Sequence, residues 1–141
     1  MEDLTELYQE LIVDHGRRPR NFGCCENANC VLEGFNPLCG DRLTIYVTEK
    51  NQVIEDISFQ GAGCAISMAS SSLMTEAVKG KMVSEVQNLF KGFHQLVTEG
   101  SSSDPAITES KLNALAGVAA FPARVKCATL AWHTLMSALN K

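Results

Sequence analysis

The sequence predicts an α+β fold in which helices cover one face of a three-stranded antiparallel sheet. Residues 42–48 alternate apolar and polar side chains, which is typical of a strand with one buried face. From residue 66 onwards, apolar residues instead recur every three or four positions, which is typical of amphipathic helices. A sheet with one polar face needs helices on its other face. We therefore expect a three-stranded sheet packed by an N-terminal helix and several C-terminal helices, in a single domain over residues 1–141.

The strands are expected in the first half of the chain. Residues 29–34 form a weak first strand, and residues 42–48 form the second. Lys50 and Asn51 suit the turn of a hairpin, so residues 53–60 are the returning strand. The three strands should therefore be consecutive and antiparallel.

The helices flank these strands on both sides in the sequence. They are predicted over residues 3–15 (ended by Gly16), from Ile66 to Ala77 (stopped by Gly80), after Ser84 as the capping residue, around residues 109–117, and from Pro122 to the C-terminus. Pro122 suits the first position of a helix, because the N–H that proline lacks would have no partner there.

Composition and charge exclude several classes of function. The net charge of −4 gives no broad basic surface for nucleic acid. The acidic start, Met1 to Leu4, lacks the basic flank and apolar run of a signal peptide, and the apolar stretch from Ala114 to Phe121 is too short to span a membrane. We therefore expect a cytoplasmic protein. Its six cysteines should be reduced, so they are either buried small side chains or centres of metal and sulfur chemistry.

One loop carries two candidate metal ligands. Cys39 and Asp41 lie on either side of Gly40, between the first and second predicted strands. Glycine permits backbone angles that other residues avoid, so this loop can direct a thiolate and a carboxylate at one point. Two ligands do not make a metal site, and the remaining chain must supply others.

Two further cysteines can supply them. Cys64 follows Gly63 at the start of a predicted helix, where the helix dipole favours a thiolate. Cys127 lies in the second turn of the last helix, on the side of Arg124 and away from the heavy apolar stripe of that helix. If these segments converge at one end of the sheet, three sulfurs and one oxygen suit Zn²⁺, or an iron–sulfur cluster if the carboxylate is labile.

Several segments, in order along the chain, resemble the U-type iron–sulfur cluster assembly proteins. They are Leu7–His15, Pro19–Gly23, Asn36–Asp41, Gly61–Ser67 and Phe121–Trp132. The resemblance covers nearly the whole chain and implies the SufU/IscU-like fold. Lys126 stands where the IscU scaffolds have a histidine, and the stretch between Cys64 and Cys127 is longer than theirs by about one helix and a loop. In both features the sequence resembles the SufU branch of the family.

The resemblance implies a function as well as a fold. It implies that Cys39, Asp41, Cys64 and Cys127 bind zinc, that Cys39 accepts sulfur, and that Arg124 supports the site. It also implies that a SufS-type cysteine desulfurase donates persulfide sulfur, that its turnover is stimulated, and that iron–sulfur scaffold proteins act downstream. The expected function is a zinc-dependent sulfur acceptor or sulfurtransferase in iron–sulfur cluster assembly.

Two alternatives remain open. The same four residues, Cys39, Asp41, Cys64 and Cys127, could build a transient 2Fe–2S cluster as an assembly scaffold, although Lys126 argues against this. A zinc-stabilised interaction module without sulfur transfer is the second alternative.

The remaining cysteines and histidines are assigned no role in the site. Cys24, Cys25 and Cys30 have a spacing that fits no common zinc or cluster motif, so packing or surface thiols are favoured over a second metal site. His133 points away from Cys127 round the last helix. His15 ends the first helix, where a cation would interact favourably with the dipole.

Overall fold

Helices cover one face of a three-stranded antiparallel sheet in the computed structural model, which describes residues 10–140. The strands are β1 (Cys30–Asn36), β2 (Asp41–Lys50) and β3 (Val53–Ala62). The helices are α1 (Glu10–Arg17), α2 (Ala65–Val78), α3 (Val83–Glu99), α4 (Pro105–Thr108), a 3₁₀ helix (Lys111–Ala120) and α5 (Pro122–Leu139). The predicted fold class is confirmed. The part of the predicted first helix that precedes Glu10 lies outside the described residues.

The sheet has the strand order β1-β2-β3. Leu43, Ile45 and Val47 are completely buried, so the alternation in β2 identified the inner face correctly. Asn51 and Gln52 make the β2–β3 turn with positive φ angles, one residue later than predicted. At the other end of β2, Asn36 pairs with Asp41, which places the Cys39 turn at one end of the sheet.

The helices differ from the predictions mainly at their ends. α1 continues through Gly16 to Arg17. α3 begins after Met82 rather than after Ser84, and the Glu85 carboxylate accepts a hydrogen bond from the Met82 N–H at 3.0 Å. The short helix around residues 109–117 is a 3₁₀ helix. No helix between residues 10 and 140 is both long and apolar enough to cross a membrane.

The face of α5 that enters the core combines small side chains with Trp132 and Leu135. Its completely buried residues include Ala128, Ala131, Trp132 and Leu135. Cys127 is 1% exposed and belongs to the same core, so its predicted position away from the core stripe was wrong. The physical reason is close packing of α5 against β1 and α2, which buries small residues and leaves several larger ones half-buried. These are Val125, Met136 and Leu139.

His15 is the buried contact between α1 and α2. Its side chain is completely buried, and Nδ1 lies 2.7 Å from Ser72 Oγ. Burial, followed by the positive charge of Arg20, lowers the pKa of His15 below its ordinary value of 6.5, although the Glu76 carboxylate opposes this shift. His15 is therefore neutral at pH 7 and does not act as a cation on the helix dipole.

The free energy of unfolding should depend on pH through His15. The unfolded chain takes up a proton near pH 6.5, whereas the folded protein resists protonation until a lower pH. The stabilisation is therefore complete above pH 6.5 and is lost as the pH falls through the lower pKa of the folded state. Urea unfolding of the wild type and His15→Gln, at several pH values below neutrality, should show a shallower decline in the variant. Equal slopes would contradict this assignment.

Candidate metal centre

The turn that carries Cys39 is closed by hydrogen bonds at the end of the sheet. The Gly40 N–H donates to the Asn36 carbonyl oxygen at 2.8 Å, and the Leu38 N–H donates to Asn36 Oδ1 at 3.2 Å. Gly40 has a φ angle of +73°, which favours glycine, as the sequence predicted. The turn leaves Cys39 exposed to solvent.

Asp41 begins β2 with a carboxylate that is completely buried but hydrogen-bonded. The Cys64 N–H donates to Oδ1 at 2.9 Å, and Asn36 Nδ2 donates to Oδ2 at 3.3 Å. A buried carboxylate is costly unless such donors satisfy it. These two donors orient Asp41 from the start of α2 and from the end of β1.

Cys127 reaches the same place from the second turn of α5. Its Sγ lies 3.2 Å from Cys39 Sγ. One ligand atom from each of Cys39, Asp41 and Cys127 lies within 4.8 Å of the others, so this group could hold a metal ion. Bonds of zinc to sulfur and oxygen place tetrahedral ligand atoms roughly 3.3–3.8 Å apart, so zinc would need the two sulfurs to move slightly apart and the more distant ligand atoms to approach.

Cys64 lies beside this group rather than within it. It caps the N-terminus of α2, where its Sγ accepts a hydrogen bond from the Ser67 N–H at 3.5 Å. It also interacts with Cys127, whose pKa it raises. The structure thus brings three of the four predicted ligands together and places the fourth next to them.

The Cys127 thiol is held in its neutral form by its surroundings. Burial raises its pKa far above its ordinary value of 9.0. Hydrogen bonds with Cys39, Asp41 and Cys64, and the charge of Cys64, act in the same direction. A bound cation would reverse this balance, because metal coordination favours the thiolate.

Comparison with known proteins identifies the family. The profile of the family described as "NifU-like N terminal domain" matches residues 7–140. The chain belongs to this family. The resemblance inferred from the sequence is therefore confirmed.

Two relatives of this NifU-like chain have different names. It is 41% identical to the zinc-dependent sulfurtransferase SufU of Bacillus subtilis, over 99% of this chain and 93% of the relative. It is also 41% identical to the iron–sulfur cluster assembly scaffold protein IscU of Streptococcus pyogenes, over 100% of this chain and 87% of the relative.

A solved structure agrees with the fold. The crystal structure of FiSufU from Fervidobacterium islandicum, described as a candidate iron–sulfur cluster assembly scaffold protein for the SUF system, has a TM-score of 0.87. It is 36% identical, and the alignment covers 94% of this chain and 96% of that chain.

The two cations that the sequence places near Cys127 lie on the first turns of α5. Arg124 is half-buried one turn before Cys127, and Lys126 is exposed. Lys126 lines a groove beside the Cys39 turn together with Leu38 and His133. The supporting role of Arg124 stays a prediction.

The other cysteines of the NifU-like chain are separate from this site. Cys24 is exposed, Cys25 Sγ lies 3.9 Å from Thr48 Oγ1, and Cys30 packs against the core. Within residues 10–140, the group formed by Cys39, Asp41 and Cys127 is the only set of three or more side chains arranged to hold a metal ion. The second metal site that the sequence left open therefore has no support in the described residues.

Two residues of the site were missed by the sequence analysis. Asn36 contacts Asp41 and Cys127, and Gly63 lies against the Asp41 carboxylate. The sequence feature that could have identified Asn36 and Gly63 is their position in the two segments that also carry Cys39 and Cys64. Nothing local in either segment reveals the contact with Asp41.

Replacing Gly63 with alanine should displace Asp41. The added Cβ would lie 2.6 Å from Asp41 Oδ1, too close for two atoms that are not bonded. We expect a loss of about 1–3 kcal/mol in the free energy of unfolding. We also expect about tenfold weaker zinc binding, measured by competition with a chelator.

Gly16→Ala is the control for Gly63→Ala. Its Cβ would lie 3.3 Å from the Ala65 carbonyl oxygen, at the start of the same helix but away from Asp41. It should leave the zinc affinity unchanged. Wild-type zinc affinity in folded Gly63→Ala would show that the position of Asp41 does not matter.

Proposed function

We propose that the protein is a zinc-dependent sulfur acceptor in iron–sulfur cluster assembly, with Cys39 as the residue that receives the sulfur. The observation that carries this proposal is the contact of the exposed Cys39 thiol with a buried thiol and a buried carboxylate. Such an arrangement offers one accessible sulfur within a set of ligands that a metal can use.

The donor set suits zinc. Cys39, Asp41 and Cys127 supply two sulfurs and one oxygen, and Cys64 is the neighbouring thiol that would complete four ligands. Bound zinc would supply a positive charge that keeps thiols deprotonated near neutral pH. The name of the B. subtilis relative, a zinc-dependent sulfurtransferase, supports the same assignment.

The transfer itself is an exchange between sulfur atoms. The Cys39 thiolate attacks the outer sulfur of a cysteine persulfide on the donor. A new S–S bond forms at Cys39 as the S–S bond of the donor breaks, and the inner sulfur of the donor leaves as a thiolate with the bonding electron pair. The exchange therefore needs no oxidant or reductant. The exposed position of Cys39 gives the donor access to it.

The proposed donor is a SufS-type cysteine desulfurase, whose turnover the transfer would stimulate. The proposed recipients are iron–sulfur scaffold proteins downstream, in the cytoplasm. Arg124 is proposed to support the site, because three thiolates, one carboxylate and Zn²⁺ carry a net charge of about −2 that a neighbouring guanidinium would offset.

A scaffold function is the second candidate. It is favoured by the equal identity, 41%, to the S. pyogenes protein named as an iron–sulfur cluster assembly scaffold. In that case Cys39, Asp41, Cys64 and Cys127 would hold an iron–sulfur cluster as cargo.

The decisive experiment compares metal dependence with cluster transfer. Zinc content of the purified protein is measured first. Desulfurase turnover is then followed with the native protein, with protein stripped by a chelator, and with stripped protein to which zinc has been returned. We expect stimulation to disappear on stripping and to return with zinc. Stimulation without zinc, together with a transferable cluster at the same residues, would instead establish the scaffold function.

A further inference from the structure

Asn36 is the side chain that connects the three close ligand residues of the site. It is the last residue of β1 and is 5% exposed. Its Nδ2 lies 3.3 Å from Asp41 Oδ2 and 3.8 Å from Cys127 Sγ, and its Oδ1 accepts from the Leu38 N–H in the Cys39 turn. One amide group therefore contacts the carboxylate, the buried sulfur and the turn that carries the exposed sulfur.

These contacts make the surroundings of Cys127 Sγ different from those of the neighbouring Cys39 Sγ. Cys127 is 1% exposed and receives an N–H from Asn36, whereas Cys39 is exposed at the surface. An N–H donor restrains the position of a sulfur, and a sulfur held in a buried position reacts slowly with reagents from solvent. The same amide restrains Asp41, so the carboxylate cannot turn away from the site.

We propose that Asn36 is a positioning residue that fixes Cys127 and Asp41 as permanent ligands and so leaves Cys39 as the sulfur that exchanges. The part of this proposal that concerns which thiol receives sulfur rests on the proposed function. The restraint of Cys127 by Asn36 does not rest on it, because that contact does not require zinc.

A purely structural role would be closure of the Cys39 turn. The backbone bond from the Gly40 N–H to the Asn36 carbonyl oxygen does not depend on the side chain at position 36, so substitution there removes only the second bond of the turn, from the Leu38 N–H. Changes in the side chain therefore remove mainly the contacts with Asp41, Cys127 and Leu38.

The test uses Asn36→Leu, which removes the amide at similar side-chain size, and Asn36→Ala as a second variant if the first does not fold. The matched control is Asn29→Leu. Asn29 lies just before the other end of β1, and its amide makes two hydrogen bonds to the backbone of Glu49, at 2.7 Å and 3.0 Å. Asn29→Leu thus removes two side-chain hydrogen bonds at an exposed position away from the site.

Two measurements are made on each variant. The first is the rate of alkylation of Cys39 and Cys127 in reduced, metal-free protein, resolved by peptide mass spectrometry. The second is zinc affinity by competition with a chelator. We expect the Cys39-to-Cys127 ratio of rates to fall by roughly three- to tenfold in the Asn36 variants, because the loss of one hydrogen bond frees the buried Cys127 sulfur to move towards solvent. We expect zinc affinity to fall by roughly 10–100-fold, and both values to stay at wild type in Asn29→Leu.

The proposal would be overturned by folded Asn36 variants that keep the wild-type ratio of rates and the wild-type zinc affinity. Equal changes in Asn29→Leu would also overturn it, since they would reflect general destabilisation. Neither readout requires a desulfurase. A protein that lacks sulfur transfer but shows the altered ratio would refute the proposed function and retain the role of Asn36.

Discussion

Cys39→Ser is expected to abolish sulfur acceptance and the stimulation of a cysteine desulfurase. A serine hydroxyl is similar in size to the thiol but cannot form the S–S bond that holds the transferred sulfur. Because Cys39 is exposed, its substitution should change the free energy of unfolding of the zinc-free protein by no more than about 0.5 kcal/mol. Circular dichroism should therefore show that the variant is folded, although it is inactive.

The measurement combines desulfurase turnover with mass spectrometry of the acceptor protein. Wild type should gain the mass of a sulfur atom on the peptide that contains Cys39, and Cys39→Ser should gain none. Cys24→Ser is the matched control, because Cys24 is also exposed but lies outside the group that could hold a metal ion. Wild-type stimulation by Cys39→Ser, or transfer to Cys64 or Cys127 at the wild-type rate, would refute Cys39 as the acceptor.

Trp132→Ala should cause the largest loss of stability among single substitutions in the core. Trp132 is completely buried and stacks on Phe93, with 4.8 Å between the ring centroids. Removal of the indole leaves a large cavity between α3 and α5, which costs about 3–5 kcal/mol. Domains of this size are stable by about 5–15 kcal/mol, so the substitution should remove a large part of the free energy of unfolding. Urea unfolding followed by circular dichroism measures the difference.

Trp132→Phe separates the contribution of aromatic packing to stability from that of the indole N–H. The Trp132 indole N–H is buried and has no hydrogen-bond partner. Phenylalanine keeps part of the stacking and removes this unsatisfied donor, so it should cost clearly less than alanine. A cost below about 1 kcal/mol for Trp132→Ala would show that the stacking does not stabilise the fold.

The sequence predicted the parts of the fold that depend on local patterns. The alternation around Ile45 identified the inner face of β2, and Pro122 marked the start of α5. The buried face of α5 was not predictable in this way. Thr134 packs against Gly34 of β1 so closely that no side chain fits at position 34. That close approach is set by an element about a hundred residues away, and a helical periodicity cannot contain it.

The residues of the candidate site also fall into those that the sequence predicted and those that depend on distant contacts. Cys39, Asp41 and Cys127 were identified from their residue types and from the segments that carry them, and the structure places them together. The role of Asn36 depends on a contact with Cys127 across 91 positions of sequence. The burial of His15 was not predictable for a similar reason, because only the docking of α1 on α2 shows that its ring is buried.

The contact between Cys39 and Cys127 joins residues that are 88 positions apart. An ion held there would link the first third of the polypeptide to its last helix. A truncated chain that lacks either part would lose one of these ligands. Occupancy would then oppose unfolding of the whole chain, by about 2.7 kcal/mol when free zinc is at 100 times its dissociation constant. Zinc supply in the cell would in this way control how much of the protein survives, in addition to what the protein does.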